Sequence, residues 1–238
     1  IELNPTDPDL HFNKGYLLYE YIEKPALALK SYQEVERLDP EYQDINNNIA
    51  VIYATYIKDY QKALEYYTKE IELHPSDPMA YRNRALLYNY QLENLDKALE
   101  DYTKAIDLDP ENSYYYELRG KFYENYLNDY DKALEDYNKG IELNPTDPDL
   151  HFNKGYLLQD ETPDLALKSY LEVVRLDPNY RVYNNIALIY ENYIKDYQKA
   201  LEYYSKEIKL DSTDTYAYRN RAALYASHLE DLDKALVD

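Results

Sequence analysis

The chain of 238 residues has no cysteine and no tryptophan, only four glycines, and one methionine, which is not its first residue. Without thiols it can build neither a disulfide framework nor a thiolate metal site, which removes the small cystine-stapled class. Glycine is thinly spread, no Gly/Ser linker occurs and composition does not shift along the chain, so one continuous body is expected over residues 1–238. No apolar run approaches the roughly 20 residues that a membrane span needs, and the opening residues show no basic stretch followed by an apolar one. Basic residues are also scarce. There are 26 against 46 acidic ones, a formal charge of −20, so a nucleic-acid backbone is repelled. The chain opens at Ile1 with IELNP, a run that elsewhere closes a helix, and Asp238 falls early in another; we expect a piece of a longer protein. The compartment is left open.

What is abundant is tyrosine, with 33 residues, and repetition. The run Lys58 to Leu73, KDYQKALEYYTKEIEL, returns from Lys195 to Leu210 as KDYQKALEYYSKEIKL. It reads as a helix: Asp59 caps the start, Ala63, Leu64, Tyr67 and Ile71 recur at helical spacing, and His74-Pro75 ends it. Prolines that end such helices stand at 5, 40, 75, 110, 145 and 178, with Ser212 in the same place one step later. Each interval predicts two helices. The first, helix A, carries Gly15, Ala50, Ala85, Gly120, Gly155, Ala187 and Ala222 at one place; the second, helix B, carries Ala28, Ala63, Ala98, Ala133, Ala166, Ala200 and Ala235. Small residues at matched places let the helices of a pair approach closely. A longer period is superimposed. Residues 1–18 are identical to 141–158, and AYRNRALLY at Ala80 matches AYRNRAALY at Ala217, so a block of four repeats has been duplicated.

The runs NDYDKALEDYNKGIELNP (Asn128 to Pro145) and LDKALEDYTKAIDLDP (Leu95 to Pro110) resemble the tetratricopeptide repeat, and the pattern covers essentially the whole chain. The resemblance implies an all-α, right-handed superhelical solenoid of antiparallel helix pairs. Its repeats fall at about 6–40, 41–75, 76–110, 111–145, 146–178, 179–212 and 213–238, and its A helices form a concave face. One departure is consistent: most repeats hold an extra residue in the A–B turn, as at Tyr56-Ile57-Lys58. In repeat five, Thr162 followed by Pro163 predicts a cap and a first-turn proline.

Counting the small residue of helix A as place eight, a pitch of 100° per residue puts places four, seven, eight and eleven on one side. That side is predicted core and includes Tyr81, Tyr116, Tyr183 and Tyr218 at place four, and Tyr53, Tyr88, Tyr123, Tyr190 and Tyr225 at place eleven. The tyrosines of helix B, Tyr32, Tyr67, Tyr102, Tyr137, Tyr170 and Tyr204, are also read as core. Places two, five, six, nine, twelve and thirteen form the opposite stripe, the candidate peptide-binding groove. Place six holds Asn13, Asn48, Asn83, Asn153, Asn185 and Asn220, interrupted by Leu118. A row of amides can donate to and accept from the backbone of an extended peptide, and the resemblance carries that role onto these positions because some peptide-binding members use asparagines so. Place five adds Phe12, Asn47, Arg82, Phe152, Asn184 and Arg219, and place nine adds Tyr16, Lys121 and Tyr156. Phe12/Tyr16 and Phe152/Tyr156 would make apolar shelves, and Arg82 and Arg219 would hold a carboxylate or phosphate. The family's clamp for C-terminal carboxylates is not matched, since Phe and Tyr replace its first Lys and Asn, and Met79 and Asn83 stand where Lys and Arg are required.

Glu70 and Glu207 occupy a helix-B place where the family prefers a small residue. Size matching against the next A helix predicts ion pairs Glu70–Arg84 and Glu207–Arg221 between repeats. No catalytic constellation emerges. His11 and His151 share one core-side place by duplication, His74 lies in a loop and His228 ends a helix, while Asp7 and Asp9 in NPTDPDL read as helix starts rather than a calcium loop. The expectation is a non-catalytic scaffold without cofactor or metal. It would bind a protein or peptide segment in the groove, with no nucleic-acid or membrane partner. The alternatives are a self-associating array or spacer using its end faces, or the regulatory part of a larger enzyme.

Overall fold

The computed structural model describes residues 4–229 and 231–237. Ile1 to Leu3, read as a helix tail, and Asp238 lie outside them. Two compact halves divide the chain, residues 1–119 and 120–238. The described residues hold fourteen α-helices and no strand. In the first half α1 (Pro8–Glu20) pairs with α2 (Pro25–Leu38), α3 (Ile45–Ile52) with α4 (Tyr60–Leu73), and α5 (Pro78–Tyr90) with α6 (Leu95–Leu108). Helix α7 (Ser113–Phe122) contains the boundary. In the second half come α8 (Tyr130–Leu143), α9 (Pro148–Leu158) with α10 (Pro163–Leu176), α11 (Tyr183–Ile189) with α12 (Tyr197–Leu210), and α13 (Thr215–Ser227) with the short α14 (Leu232–Ala235).

The helix starts follow local chemistry. Asp59, Asn94, Asp129, Asp196 and Asp231 each accept a hydrogen bond from the backbone N–H three residues on, answering one of the free donors of a helix N-terminus. Thr162 stands at the expected cap position before Pro163, but its hydroxyl makes no capping bond; it points back to the Leu158 carbonyl instead. The extra residue of the A–B turn has a structural form. Helices α3, α7 and α11 run into π-helical turns, Tyr53–Ile57, Tyr123–Leu127 and Tyr190–Ile194, each closed by a residue at positive φ, Lys58, Asn128 or Lys195. A π-turn absorbs one added residue without breaking the helix.

The core is where the small residues and tyrosines predicted it. Tyr32, Tyr67, Tyr102, Tyr137, Tyr170 and Tyr204 are all buried, and Tyr32, Tyr137 and Tyr170 lie against Gly15, Gly120 and Gly155 of helix A. At Gly15 and Gly155 an added Cβ would stand 2.5 and 2.7 Å from the rings of Tyr32 and Tyr170, so the close approach requires glycine there unless the ring moves. Place four differs from the core position expected of it. Tyr81, Tyr116 and Tyr183 are only half-buried, and their hydroxyls donate to the carbonyls of Pro75, Pro110 and Pro178. His11 and His151 repeat this contact on Pro5 and Pro145. In these five repeats the place is a clasp holding the turn to the following helix, because a long polar tip reaches the proline turn's free carbonyl; Asn46, at the same place in α3, is buried with its amide unpartnered.

The predicted ion pairs are not formed. Glu70, fully buried, accepts from the backbone N–H groups of Asp44 (3.0 Å) and Asn46 (3.1 Å) at the start of α3, and lies 2.8 Å from His74 Nδ1. It serves the free donors and positive end of the A helix of its own repeat. Arg84 makes a two-pronged pair with Asp101, both contacts 2.8 Å, and reaches Thr68 Oγ1 of the preceding repeat at 3.3 Å. Glu207 likewise accepts from Asn184 N–H (3.3 Å) and pairs with Arg181, while Arg221 donates to Ser205. The long cation at place seven does link repeats, but to a hydroxyl two residues before the glutamate.

Candidate functional site

The candidate stripe lies on the A helices, and the structure separates its residues into three groups. The first is amides already engaged. Asn83 Nδ2 donates to Asn47 Oδ1 at 2.7 Å, and Asn220 Nδ2 donates to Asn184 Oδ1 at 3.1 Å, so each amide bridges neighbouring A helices within its half. Asn48 donates to the Asp44 carbonyl of its own helix, and Asn185 to the Tyr170 hydroxyl. Asn47 is buried, at 6% exposure. A side-chain amide has two N–H donors and an acceptor oxygen, so Asn48, Asn83, Asn185 and Asn220 keep part of their capacity. Asn13 is exposed, and Asn153 and Lys121 are half-buried and have interactions of their own.

The second group is the aromatic shelves. Phe152 stacks with Tyr156 at 6.4 Å between centroids, and half of Tyr156 is exposed, as a shelf requires. Phe152 also packs on Tyr170 and Tyr180, as Phe12 does on Tyr32 and Tyr42, but Tyr16 meets Tyr21 edge-on rather than stacking with Phe12.

The third group is the two arginines. Arg219 is exposed over the ring of Tyr216. Arg82 is half-buried, 5.7 Å from the Tyr114 ring centroid, and its Nε is buried without a hydrogen-bond partner. It lines a cavity of about 440 Å³ between α3 and α5, with Asn83, Tyr67, Ala54, Thr55 and Lys58 among the walls and no acidic residue there.

Tyr67 joins the site from off the predicted stripe, since it belongs to helix B, whose tyrosines read as core. Burial pushes its phenol up, while the nearby Arg82 charge acts in the opposite sense. The signal that could have found it is place twelve of helix A, where Ala54 stands opposite Glu124, Gln159 and Glu191. Those three side chains accept from the hydroxyls of Tyr137, Tyr170 and Tyr204. Ala54 has no acceptor to offer.

A second cluster sits at the start of α3. Oxygens of Asp44, Glu70 and Asp77 lie within 4.8 Å of one another. Burial, then Asp77 and Glu70, holds the Asp44 carboxyl above its usual range. Among the described residues no helix is long and apolar enough to cross a membrane.

Sequence models described as tetratricopeptide repeat match residues 13–78, 56–113 and 180–214, and one described as TPR repeat matches 123–160. No curated protein matches the chain. Among solved structures it is similar to YrrB, described as a TPR protein with an unusual peptide-binding site, at TM-score 0.64 and 24% identity over 81% of this chain and 98% of that one. It is also similar to a tetratricopeptide repeat protein from Parabacteroides merdae (TM-score 0.68, 20% identity, 97% of this chain and 90% of that one). A third similarity is to pilF of Pseudomonas aeruginosa (0.69, 21%, 83% and 89%). These likenesses establish the fold. Proteins of this fold are generally interaction scaffolds that bind protein or peptide partners. With helix pairing, tyrosine core and sequence matches all following the same repeat, the chain belongs to the tetratricopeptide-repeat family.

Proposed function

We propose that the chain is a non-catalytic scaffold that holds an extended peptide segment against the exposed stripe of its A helices, with α3 and α5 as the principal contact. The observation that carries this reading is the Arg82 side chain, a cation with a buried unpartnered Nε, facing a cavity beside an amide. An unsatisfied buried donor is costly to a folded chain, about 1–3 kcal/mol, unless something accepts from it. YrrB, a protein of the same fold with a peptide-binding site, supports the reading by analogy. The spare amide bonds contribute about 1 kcal/mol each, so backbone capture alone is weak and the arginine supplies the anchor.

Replacing Asn48, Asn83 and Arg82 together by alanine tests it. An immobilised pool of acetylated, amidated octapeptides should retain the native protein and release the triple variant. Equal retention overturns the groove reading.

One observation favours a second reading, end-to-end association. Place ten is buried at Ile52, Leu87, Phe122, Ile189 and Leu224 and half-buried at Leu157, whereas Leu17 in α1 is half exposed. Light scattering that finds a concentration-dependent mass, abolished by Leu17→Glu, would support stacking through that face; a constant mass would reject it.

A further inference from the structure

We propose that the cavity between α3 and α5 is a subsite for a glutamate side chain of the bound peptide, which takes the position that the protein's own glutamate takes in the second half. The inference rests on the groove reading above and adds the chemistry of one contact.

The duplication supplies the template. In α11 and its π-turn, Glu191 Oε2 accepts from the Tyr204 hydroxyl at 2.6 Å, across the helix pair. In the matching α3 and α4, Tyr67 is the equivalent tyrosine and Ala54 the equivalent of Glu191. An alanine in place of the glutamate lacks every side-chain atom beyond Cβ and leaves a phenol facing the vacated volume. The cavity there is lined by Ala54, Tyr67 and the cations Lys58 and Arg82, with no carboxylate, in a chain whose net charge is −20. A local positive pocket in an acidic protein attracts and orients an anion. The lining offers an incoming glutamate a phenol O–H from Tyr67, the guanidinium of Arg82 and the ammonium of the exposed Lys58. Charge-assisted bonds of this kind are shorter and stronger than neutral ones, and guanidinium geometry suits a carboxylate. The wall of Leu86, Leu87 and Val51 accommodates the methylenes that precede the carboxylate.

Three pools of acetylated octapeptides, randomised except at one central position, provide the test: fixed Glu with an amidated end, fixed Gln with an amidated end, and fixed Gln with a free C-terminal carboxylate. Native protein should retain the Glu pool at least tenfold more strongly than the amidated Gln pool. That preference should vanish in Arg82→Gln and in Ala54→Glu, where the protein fills the position itself, while both variants keep native helical circular dichroism. Equal retention of the Glu and amidated Gln pools overturns the subsite and leaves the groove reading standing. Preferential retention of the free-carboxylate pool also overturns it, assigning the cavity to a chain terminus. Failure to retain any pool removes the groove reading and the subsite together.

Discussion

The two halves carry the same duplicated elements, yet at two matched positions they solve one electrostatic problem in opposite ways. At the start of α11, Arg181 pairs with Glu207, Asp211 and Asp214 at 3.5, 3.2 and 2.9 Å. At the start of α3 the same places hold Asp44, Glu70, His74 and Asp77, so an acid replaces the cation and three carboxylates crowd together. On the other side of the pair the relation inverts: the second half places Glu191 on Tyr204, while the first leaves Ala54, Tyr67 and an unpartnered Arg82 nitrogen. At these two positions the second half satisfies its charges internally, and the first leaves them open. Positions that keep an unmet donor or an uncompensated charge are where a folded chain gives up stability, and such sites are where binding is found.

Exchanging residues between the halves breaks this comparison. Arg181→Asp should have the largest effect, about 2–3 kcal/mol lost, because Glu207 is 2% exposed and would face three acids without its cation; the half-exposed arginine keeps the loss below that of a fully buried pair. Urea unfolding followed by hydrogen exchange in α11 and α12 measures it, and an unchanged midpoint would show that the cluster is held by its backbone bonds alone. Glu191→Ala should cost about 1–2 kcal/mol by leaving the fully buried Tyr204 without its acceptor. The converse change, Ala54→Glu, should raise stability by about 1 kcal/mol, and a loss instead would mean that the α3 cavity cannot take a carboxylate.

Asp44→Asn gives the smallest effect and a defined pH dependence. The folded carboxyl titrates above its ordinary value, so the folded chain holds the proton more tightly than the unfolded one. Stability from this group is therefore greatest below the unfolded value and declines as pH rises through the raised one. Asparagine also suits the positive φ of 64° at this position. The variant should melt higher than the native protein at neutral pH, with the difference closing as the pH falls into the carboxylate range. A difference that is constant with pH would assign it to backbone preference rather than charge.

Much of this was legible in the sequence. Pairing, caps at Asp59 and its equivalents, and the tyrosine core follow from apolar spacing and turn chemistry, which act over a few residues. The Glu70–Arg84 pairing failed for a different reason. Matching side-chain sizes between repeats compares residues with residues, whereas Glu70 is bound by backbone N–H groups at the start of α3, donors that every helix has and no residue type announces. The Asn row was legible as a row but not as a set of bridges, since whether Asn83 reaches Asn47 depends on the separation of α3 and α5. The Tyr67 subsite needed both kinds of information: the substitution at Ala54 is visible in the sequence, and its consequence requires the cavity.

Arg82, whose Nε has no hydrogen-bond partner within the fold, is the proposed receptor of a ligand carboxylate. The arginine Nε–H resonances of ¹⁵N-labelled protein, followed during titration with the acetylated, amidated Glu octapeptide pool, report on that contact. A saturable downfield shift of the Arg82 Nε proton is expected, with little change at Arg219, and none at Arg82 with the Gln pool. An unmoved Arg82 resonance, or equal shifts at every exposed arginine, would contradict it.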